Sequence, residues 1–194
     1  MQETETKAPD TAYGVLGMLT FHEMSGYDLG KAIEGSIGFF WAPAKSQLYA
    51  ELRRLVTLGW ARERKVEQAD RPDKRIYTIT PAGEEALRSW LGTPPAEFDP
   101  IKSPFLLRLF FGHLAGPDAL RGLVTEHRRR AEELLETFGE IEAHLREQGG
   151  PLPPYLTLTY GITYARGVVD WCDRSMKDLE KDDLTIGRGK GGAG

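Results

Sequence analysis

The stretch APAKSQLYAELRRLVTLG, residues 42–59, has the residue spacing of an amphipathic helix. Three leucines fall at i, i+4 and i+7 and so share one apolar face: Leu48, Leu52 and Leu55. Three polar residues form a second row on another side: Lys45, Tyr49 and Arg53. Pro43 suits a first helical position, and Gly59 suits a helix end. The pattern predicts a helix with one face in a core and another face free to contact a partner.

Two shorter segments come before this helix. Residues 13–21, YGVLGMLTF, favour a buried helix, and Ser25 is a suitable N-cap for a second helix in which Leu29 and Ile33 lie four residues apart. A glycine-rich break at residues 35–38 ends that helix. The resulting order of helix, helix, turn and helix is that of a helix-turn-helix, whose later helix enters the major groove of DNA.

A basic hairpin is predicted after Gly59. Residues 60–68 and 74–80 have strand-like composition, and the turn-rich sequence ADRPD separates them. Six cations lie on this hairpin: Arg62, Arg64, Lys65, Arg71, Lys74 and Arg75. Thr80, as N-cap, and Pro81 then begin a further helix through Leu91. A helix-turn-helix followed by a basic hairpin is a winged helix, and its wing reaches the sugar-phosphate backbone or minor groove.

The charge distribution agrees with a DNA-binding surface on an otherwise acidic protein. The net charge of the 194 residues is −4. Residues 42–80 hold nine Lys and Arg against five Asp and Glu, so they carry +4 and the remainder carries −8. Positive charge gathered in one region attracts phosphate there, while the acidic remainder is kept away from it.

The cysteine count, the N-terminal sequence and the short motifs favour a cytoplasmic, soluble protein without a catalytic or metal site. The single cysteine, Cys172, cannot form an internal disulfide, and the N-terminus has no apolar segment typical of a signal peptide. His22-Glu23 lacks the second histidine of a zinc protease motif. The glycines near the C-terminus do not follow a predicted strand, as the glycines of a phosphate-binding loop would. We therefore expect no catalytic residue, no cofactor and no metal.

The C-terminal half is predicted to be helical and to form a homodimer. Residues 92–104 are a proline-rich linker, and residues 105–114, FLLRLFFGHL, predict a helix buried nearly all round. Two long helices follow, one between Gly116 and Gly149 and one from about Tyr155, joined as an antiparallel hairpin. Their heptad spacing predicts a dimer interface that includes eight residues: Leu120, Val124, His127, Leu134, Phe138, Ile162, Val169 and Met176. His127 is expected there as a hydrogen-bonded interface residue.

The sequence thus predicts a mainly α protein with an N-terminal winged helix-turn-helix, a two-stranded wing and a C-terminal antiparallel helical dimerisation domain. The boundaries expected are a flexible N-terminus at 1–11, the winged helix at 12–91, the linker at 92–104, the helical domain at 105–184 and a disordered tail at 185–194.

Residues 12–91 resemble the PadR-type transcriptional regulators. Three stretches carry the resemblance: Ser25-Gly26-Tyr27-Asp28-Leu29; Trp41 with Ser46-Gln47-Leu48-Tyr49 and Glu51-Leu52; and Arg71-Pro72-Asp73-Lys74-Arg75 with Tyr77, Thr80 and Gly83. The resemblance implies a C-terminal helical dimerisation domain, a DNA contact at Tyr49 and, in some members, a small hydrophobic or aromatic effector.

Two sets of site residues are predicted. The DNA-binding set is Lys45, Ser46, Gln47, Tyr49, Arg53, Arg71, Lys74 and Arg75. The first turn of the helix is expected to reach base edges, and the wing cations are expected to meet phosphate. Arg53 is expected to meet phosphate or a carboxylate of its own domain. Aromatic residues at helical spacing usually belong to a core, but four of them could form an effector pocket: Trp41, Phe110, Tyr164 and Trp171.

The function predicted is that of a ligand-responsive repressor which binds a pseudo-palindromic operator as a homodimer. The alternative is a protein-interaction adaptor that uses the helical hairpin, with the winged helix binding protein. Salt dependence separates the two, since affinity for DNA falls steeply with salt.

Overall fold

The computed structural model describes residues 8–67, 74–94 and 102–180. The chain divides into two compact units, residues 1–98 and 99–194, which are considered separately. The N-terminal unit contains α1 (Asp10–Met18), β1 (Met24–Ser25), α2 (Gly26–Glu34), α3 (Lys45–Thr57), β2 (Ala61–Val66), β3 (Lys74–Ile79) and α4 (Pro81–Leu91). The C-terminal unit contains α5 (Pro104–Phe110), a 3-10 turn (Gly112–Leu114), α6 (Pro117–Gln148) and α7 (Leu152–Leu179). This mainly helical winged-helix architecture confirms the predicted fold class.

The core of the N-terminal unit forms where α1, α2 and α3 pack together. Leu52 and Leu55 of α3 are completely buried, together with Leu16 of α1 and Leu29 of α2. Tyr13 of α1 stacks on Trp90 of α4, with ring centroids 5.0 Å apart. The apolar face predicted for α3 therefore lies in the core, and its other side is left exposed.

The wing belongs to a three-stranded antiparallel sheet in the order β1-β3-β2. Tyr77 of β3 pairs with Glu63 of β2 on one side and with Met24 of β1 on the other. Strand β1 was not predicted, since two residues are too few to show an alternating pattern. Its pairing joins the start of α2 directly to the wing.

Side-chain capping explains two of the four helix starts described in this unit, those of α2 and α4. The Ser25 hydroxyl accepts a hydrogen bond from the backbone N–H of Asp28, and the Thr80 hydroxyl accepts one from Gly83. Both N-caps were predicted. Helix α3 is different: it begins at Lys45 and not at Pro43, and its N-cap Ala44 provides no side-chain hydrogen bond.

The helix predicted at residues 105–114 is shorter and far more exposed than its composition suggests. It ends at Phe110, and a 3-10 turn follows. Five of its large apolar residues, counting those at its C-terminal end, are exposed: Leu106, Leu107, Phe110, Phe111 and Leu114. The prediction that it is buried all round is wrong for the isolated chain, because only one side of α5 packs on α6.

The two long helices pack on each other as an intramolecular hairpin. Their connection turns at Gly149, whose φ of 71° is a left-handed conformation suited to glycine. Phe138 of α6 is 1% exposed and packs with Leu158 and Ile162 of α7. The heptad pattern therefore describes packing within one chain.

The packing of the hairpin covers part of the predicted dimer interface. Four of the eight residues are buried against their own chain: Leu120, Val124, Phe138 and Ile162. The other four, His127, Leu134, Val169 and Met176, are half-buried. The surface that the eight residues retain for a partner therefore lies mainly on these four, and the dimer interface remains a prediction.

Within the part of the chain that the structure describes, no helix is both long and apolar enough to cross a bilayer.

Candidate nucleic-acid interface

The first turn of α3 presents three of the predicted DNA contacts to solvent. Lys45, Ser46 and Gln47 are all exposed, and they lie at the N-terminal end of the helix, where free backbone N–H groups favour an anion. The side-chain amide of Gln47 also donates to the hydroxyl of Thr11, with 3.3 Å between nitrogen and oxygen. That bond ties Gln47 to α1, so a base contact by Gln47 has to compete with it.

Tyr49 lies against the start of α2, where its ring fits only because residue 26 is a glycine. A Cβ atom placed on Gly26 would come within 2.4 Å of the Tyr49 Cε1 atom, which is closer than real Cβ contacts. The Tyr49 side chain is nevertheless 41% exposed. Gly26 therefore fixes the direction in which the Tyr49 ring extends from α3. The sequence analysis missed this contact between Gly26 and Tyr49 because it joins two helices.

Lys74, at the turn end of β3, connects the wing to α2. Its ammonium lies 2.7 Å from a carboxylate oxygen of Asp28, and the Ser25 hydroxyl donates to the same oxygen at 2.7 Å. The hydrogen bond from Lys74, and then the one from Ser25, lowers the pKa of Asp28. Lys74 is thus a wing cation as predicted, but its charge is shared with a carboxylate of its own domain.

The remaining predicted contacts differ in their surroundings. Arg75 pairs with Glu63 across the two wing strands at 3.0 Å. Arg53 is exposed on α3, and it interacts electrostatically with Tyr77 of the wing, whose pKa is raised mainly by burial. Arg71 lies outside the described residues. The structure therefore brings the exposed side of α3 and the first residues of β3 onto one part of the N-terminal unit.

A cavity of about 560 Å³ lies in the C-terminal unit between α5, α6 and α7. The ring of Phe105 stacks on that of His127, with centroids 3.7 Å apart, and Tyr164 lines another part of the wall. Arg108 and Arg130 supply positive charge. Burial, and then the charge of Arg130, lowers the pKa of His127, which favours its neutral form.

The predicted effector pocket is only partly consistent with this cavity. Of its four residues, Tyr164 alone lines the cavity. Trp171 makes an edge contact with Phe105 at 5.8 Å, Phe110 is 79% exposed, and Trp41 belongs to the N-terminal unit, where its ring lies near Gly14. The sequence analysis missed Phe105 and Arg108, since three helices must pack before these residues face one space.

Comparisons with known proteins agree with this architecture. The family model described as "Transcriptional regulator PadR-like family" matches residues 15–89, and the one described as "Virulence activator alpha C-term" matches residues 101–180. The chain is 25% identical to the negative transcriptional regulator PadR of Bacillus subtilis, over 88% of this chain and 97% of that protein. It is 28% identical to the probable transcriptional regulator Rv1176c of Mycobacterium tuberculosis, over 87% of this chain and 97% of that protein.

A solved structure matches over nearly the whole chain. The crystal structure of Bacillus subtilis PadR in complex with operator DNA superposes with a TM-score of 0.76 at 26% identity, and it covers 90% of this chain and 100% of that one. Two family models together span the winged helix and the helical hairpin, in the order in which this fold contains them. The chain therefore belongs to the PadR-like family of transcriptional regulators.

Proposed function

We propose that this protein represses transcription by binding operator DNA as a homodimer, with α3 in the major groove and the wing on the adjacent backbone. The observation that carries the proposal is the exposed side of α3, where Lys45, Ser46 and Tyr49 stand free of the core. The similar Bacillus subtilis protein is described as a negative regulator and has been crystallised with its operator. The action proposed is binding without catalysis, in the cytoplasm where the DNA is.

Two-fold symmetry sets the form of the binding site. Two winged helices related by a dimer axis would enter successive major grooves on one side of the duplex, roughly 34 Å apart. The operator is then a pseudo-palindrome with half-sites about one helical turn apart. The adaptor alternative, in which the winged helix binds protein, requires neither symmetry nor a steep dependence on salt.

Loss of the wing cations is expected to flatten the salt dependence of DNA binding. Each phosphate contact contributes about −0.9 to the slope of log K against log salt, so the double variant Lys74→Ala/Arg75→Ala should reduce its magnitude by about 1 to 2. The measurement is fluorescence anisotropy with duplex DNA from upstream of the gene, at several salt concentrations. Arg174→Ala/Lys177→Ala removes the same charge from α7 and should leave the slope unchanged. An unchanged slope for the wing variant would remove both residues from the contact set.

We also propose that the C-terminal cavity binds the effector that relieves repression. Its volume lies in the range of small-molecule sites, and its wall combines a stacked ring pair with the guanidinium of Arg108, which hydrogen-bonds to the carbonyl of Pro104 in its own helix. Rings beside an arginine suit a planar molecule that carries a carboxylate. Binding would favour a dimer state in which the winged helices no longer fit successive grooves.

Isothermal titration with 4-hydroxybenzoic acid is expected to show binding that Arg108→Ala weakens by about tenfold, the loss of one charged hydrogen bond. Phenol has the same ring without the carboxylate, and its affinity should be low and indifferent to Arg108. Arg166→Ala, an exposed arginine of α7 outside the cavity wall, serves as the matched control. Equal affinities of the acid for the natural protein and for Arg108→Ala would contradict the assigned role.

A further inference from the structure

Gln47 connects the first turn of α3 to the first turn of α1. Helix α3 begins at Lys45, so Gln47 is its third residue, and it is exposed. Its Nε2 atom donates to the hydroxyl oxygen of Thr11, 3.3 Å away and 36 positions earlier in the chain. Thr11 is the second residue of α1 and is 7% exposed. A buried hydroxyl on one helix thus holds the end of an exposed side chain on the other.

The amide of Gln47 keeps two further hydrogen-bonding groups while it is bound to Thr11. A glutamine amide has two N–H donors on one nitrogen and a carbonyl oxygen that accepts. The hydroxyl of Thr11 takes one of the N–H groups. The second N–H and the carbonyl oxygen, which point away from the bond, are then available to another partner.

Adenine is the base that uses these two groups together. In the major groove it presents N7 as an acceptor beside its N6 amino group, and glutamine pairs with both through one N–H and the carbonyl oxygen. The N–H used in this pair lies on the same side of the amide as the oxygen. The other N–H can therefore stay on Thr11, so the competition between Thr11 and a base is weakest when the base is adenine.

Guanine is the base that this arrangement disfavours most. Its major-groove edge presents two acceptors, N7 and O6. The carbonyl oxygen of Gln47 would face one of these acceptors and be repelled, unless the amide rotates and gives up its bond to Thr11. Cytosine and thymine each offer a single polar group on this edge, so neither can form the paired contact.

We propose that Thr11 is a positioning residue, which orients the amide of Gln47 so that it reads adenine in preference to guanine. Thr11 is buried, and it acts through Gln47 without contacting DNA itself. Long polar side chains lose rotamer freedom when they are ordered, and the bond to Thr11 orders Gln47 before DNA binds. This inference rests on the proposed function, in which the first turn of α3 enters the major groove.

Selection of bound duplexes from a randomised DNA library by the full chain tests this role. The variant Gln47→Ala identifies the base pair that Gln47 reads, as the position at which a preference for adenine disappears. Thr11→Val keeps the shape of the side chain and removes the hydroxyl. At the position identified, we expect the ratio of adenine to guanine to fall about fivefold, the loss of one neutral hydrogen bond, and the other positions to be unchanged.

Two control variants separate positioning from a purely structural role. Thr11→Ser retains a hydroxyl and should retain the natural ratio of adenine to guanine. In a Gln47→Ala background, Thr11→Val should change no base preference, because the residue through which it acts is gone. A Thr11 that only packs α1 on α3 would instead weaken binding to all sequences alike and leave the ratio as it is.

A measurement on the natural protein keeps the test independent of folding in the variants. Nuclear magnetic resonance relaxation of the ¹⁵N-labelled side-chain amides should show Gln47 as ordered before DNA is added, and Gln148, exposed at the end of α6, as mobile. The inference is overturned if Gln47 is as mobile as Gln148, if Gln47→Ala abolishes no preference for adenine or if Thr11→Val keeps the natural ratio. A natural protein that selects no sequence at all would contradict the proposed function, and the inference with it.

Discussion

Gly26→Ala is expected to weaken DNA binding by about tenfold, or 1.4 kcal/mol, while the protein stays folded. The new methyl group would lie only 2.4 Å from the Tyr49 Cε1 atom, so the ring has to move out of its site against α2. Because the side chain is partly exposed, the ring can move without disturbing the core. The phenol group is then no longer held in position beside the DNA before binding, and ordering it on binding costs affinity.

The control for Gly26→Ala lies one turn further along the same helix. A Cβ atom at Gly30 would meet a methyl group of Leu48 at 3.5 Å, an ordinary contact, so Gly30→Ala should bind DNA as the natural protein does. Electrophoretic mobility shifts with DNA from upstream of the gene give the affinities. In a Tyr49→Ala background, Gly26→Ala should have no further effect. Additive losses in that double variant would contradict the claim that Gly26 acts through Tyr49.

Gly83→Ala is expected to lower the free energy of unfolding of the winged-helix unit by about 3 kcal/mol, at the upper end of overpacking effects. Its Cβ atom would lie 2.1 Å from the carbonyl oxygen of Trp60. That oxygen accepts a hydrogen bond from the backbone N–H of Thr80, the N-cap of α4. Backbone atoms on both sides are held in place, so the strand and the helix have to separate.

Thermal unfolding followed by circular dichroism measures this loss, which corresponds to a midpoint lowered by about 10 to 20 °C for a unit of this size. Gly17→Ala is the matched control in α1, because its added Cβ would have no atom within 4 Å apart from its chain neighbours and the backbone of its own helix. Alanine there should leave the midpoint unchanged or raise it slightly, since alanine favours helix. Equal midpoints for Gly83→Ala and the natural protein would show that the contact between Trp60, just before β2, and α4 is more adaptable than its geometry indicates.

The winged helix could be predicted because its signals are local. The leucine spacing of α3 identifies the buried face within a few turns, and Ser25 and Thr80 fulfil the N-cap roles expected of them. The contacts that direct the site are not local. The ion pair between Asp28 and Lys74 joins residues 46 positions apart. The local sequence around either residue does not predict this pairing.

The helical half shows where periodicity stops being informative. A heptad seam such as that of Phe138 is the same pattern whether its partner is the next helix of the chain or a second subunit. The structure assigns this seam to the intramolecular hairpin. The prediction that helix α5 is buried was wrong for a related reason. Its many apolar residues predicted burial, but composition does not say how many sides of a helix are covered within one chain.

The most direct test of the account is the binding of the full chain to duplex DNA from upstream of its gene, measured across a series of salt concentrations together with the stoichiometry. We predict two chains per duplex and a linear fall of log K with log salt, with a slope steep enough to require several phosphate contacts. Absence of binding at low ionic strength would contradict the claim that a dimer binds DNA through α3 and the wing. Binding by a single chain, with a slope of log K against log salt near zero, would contradict it as well.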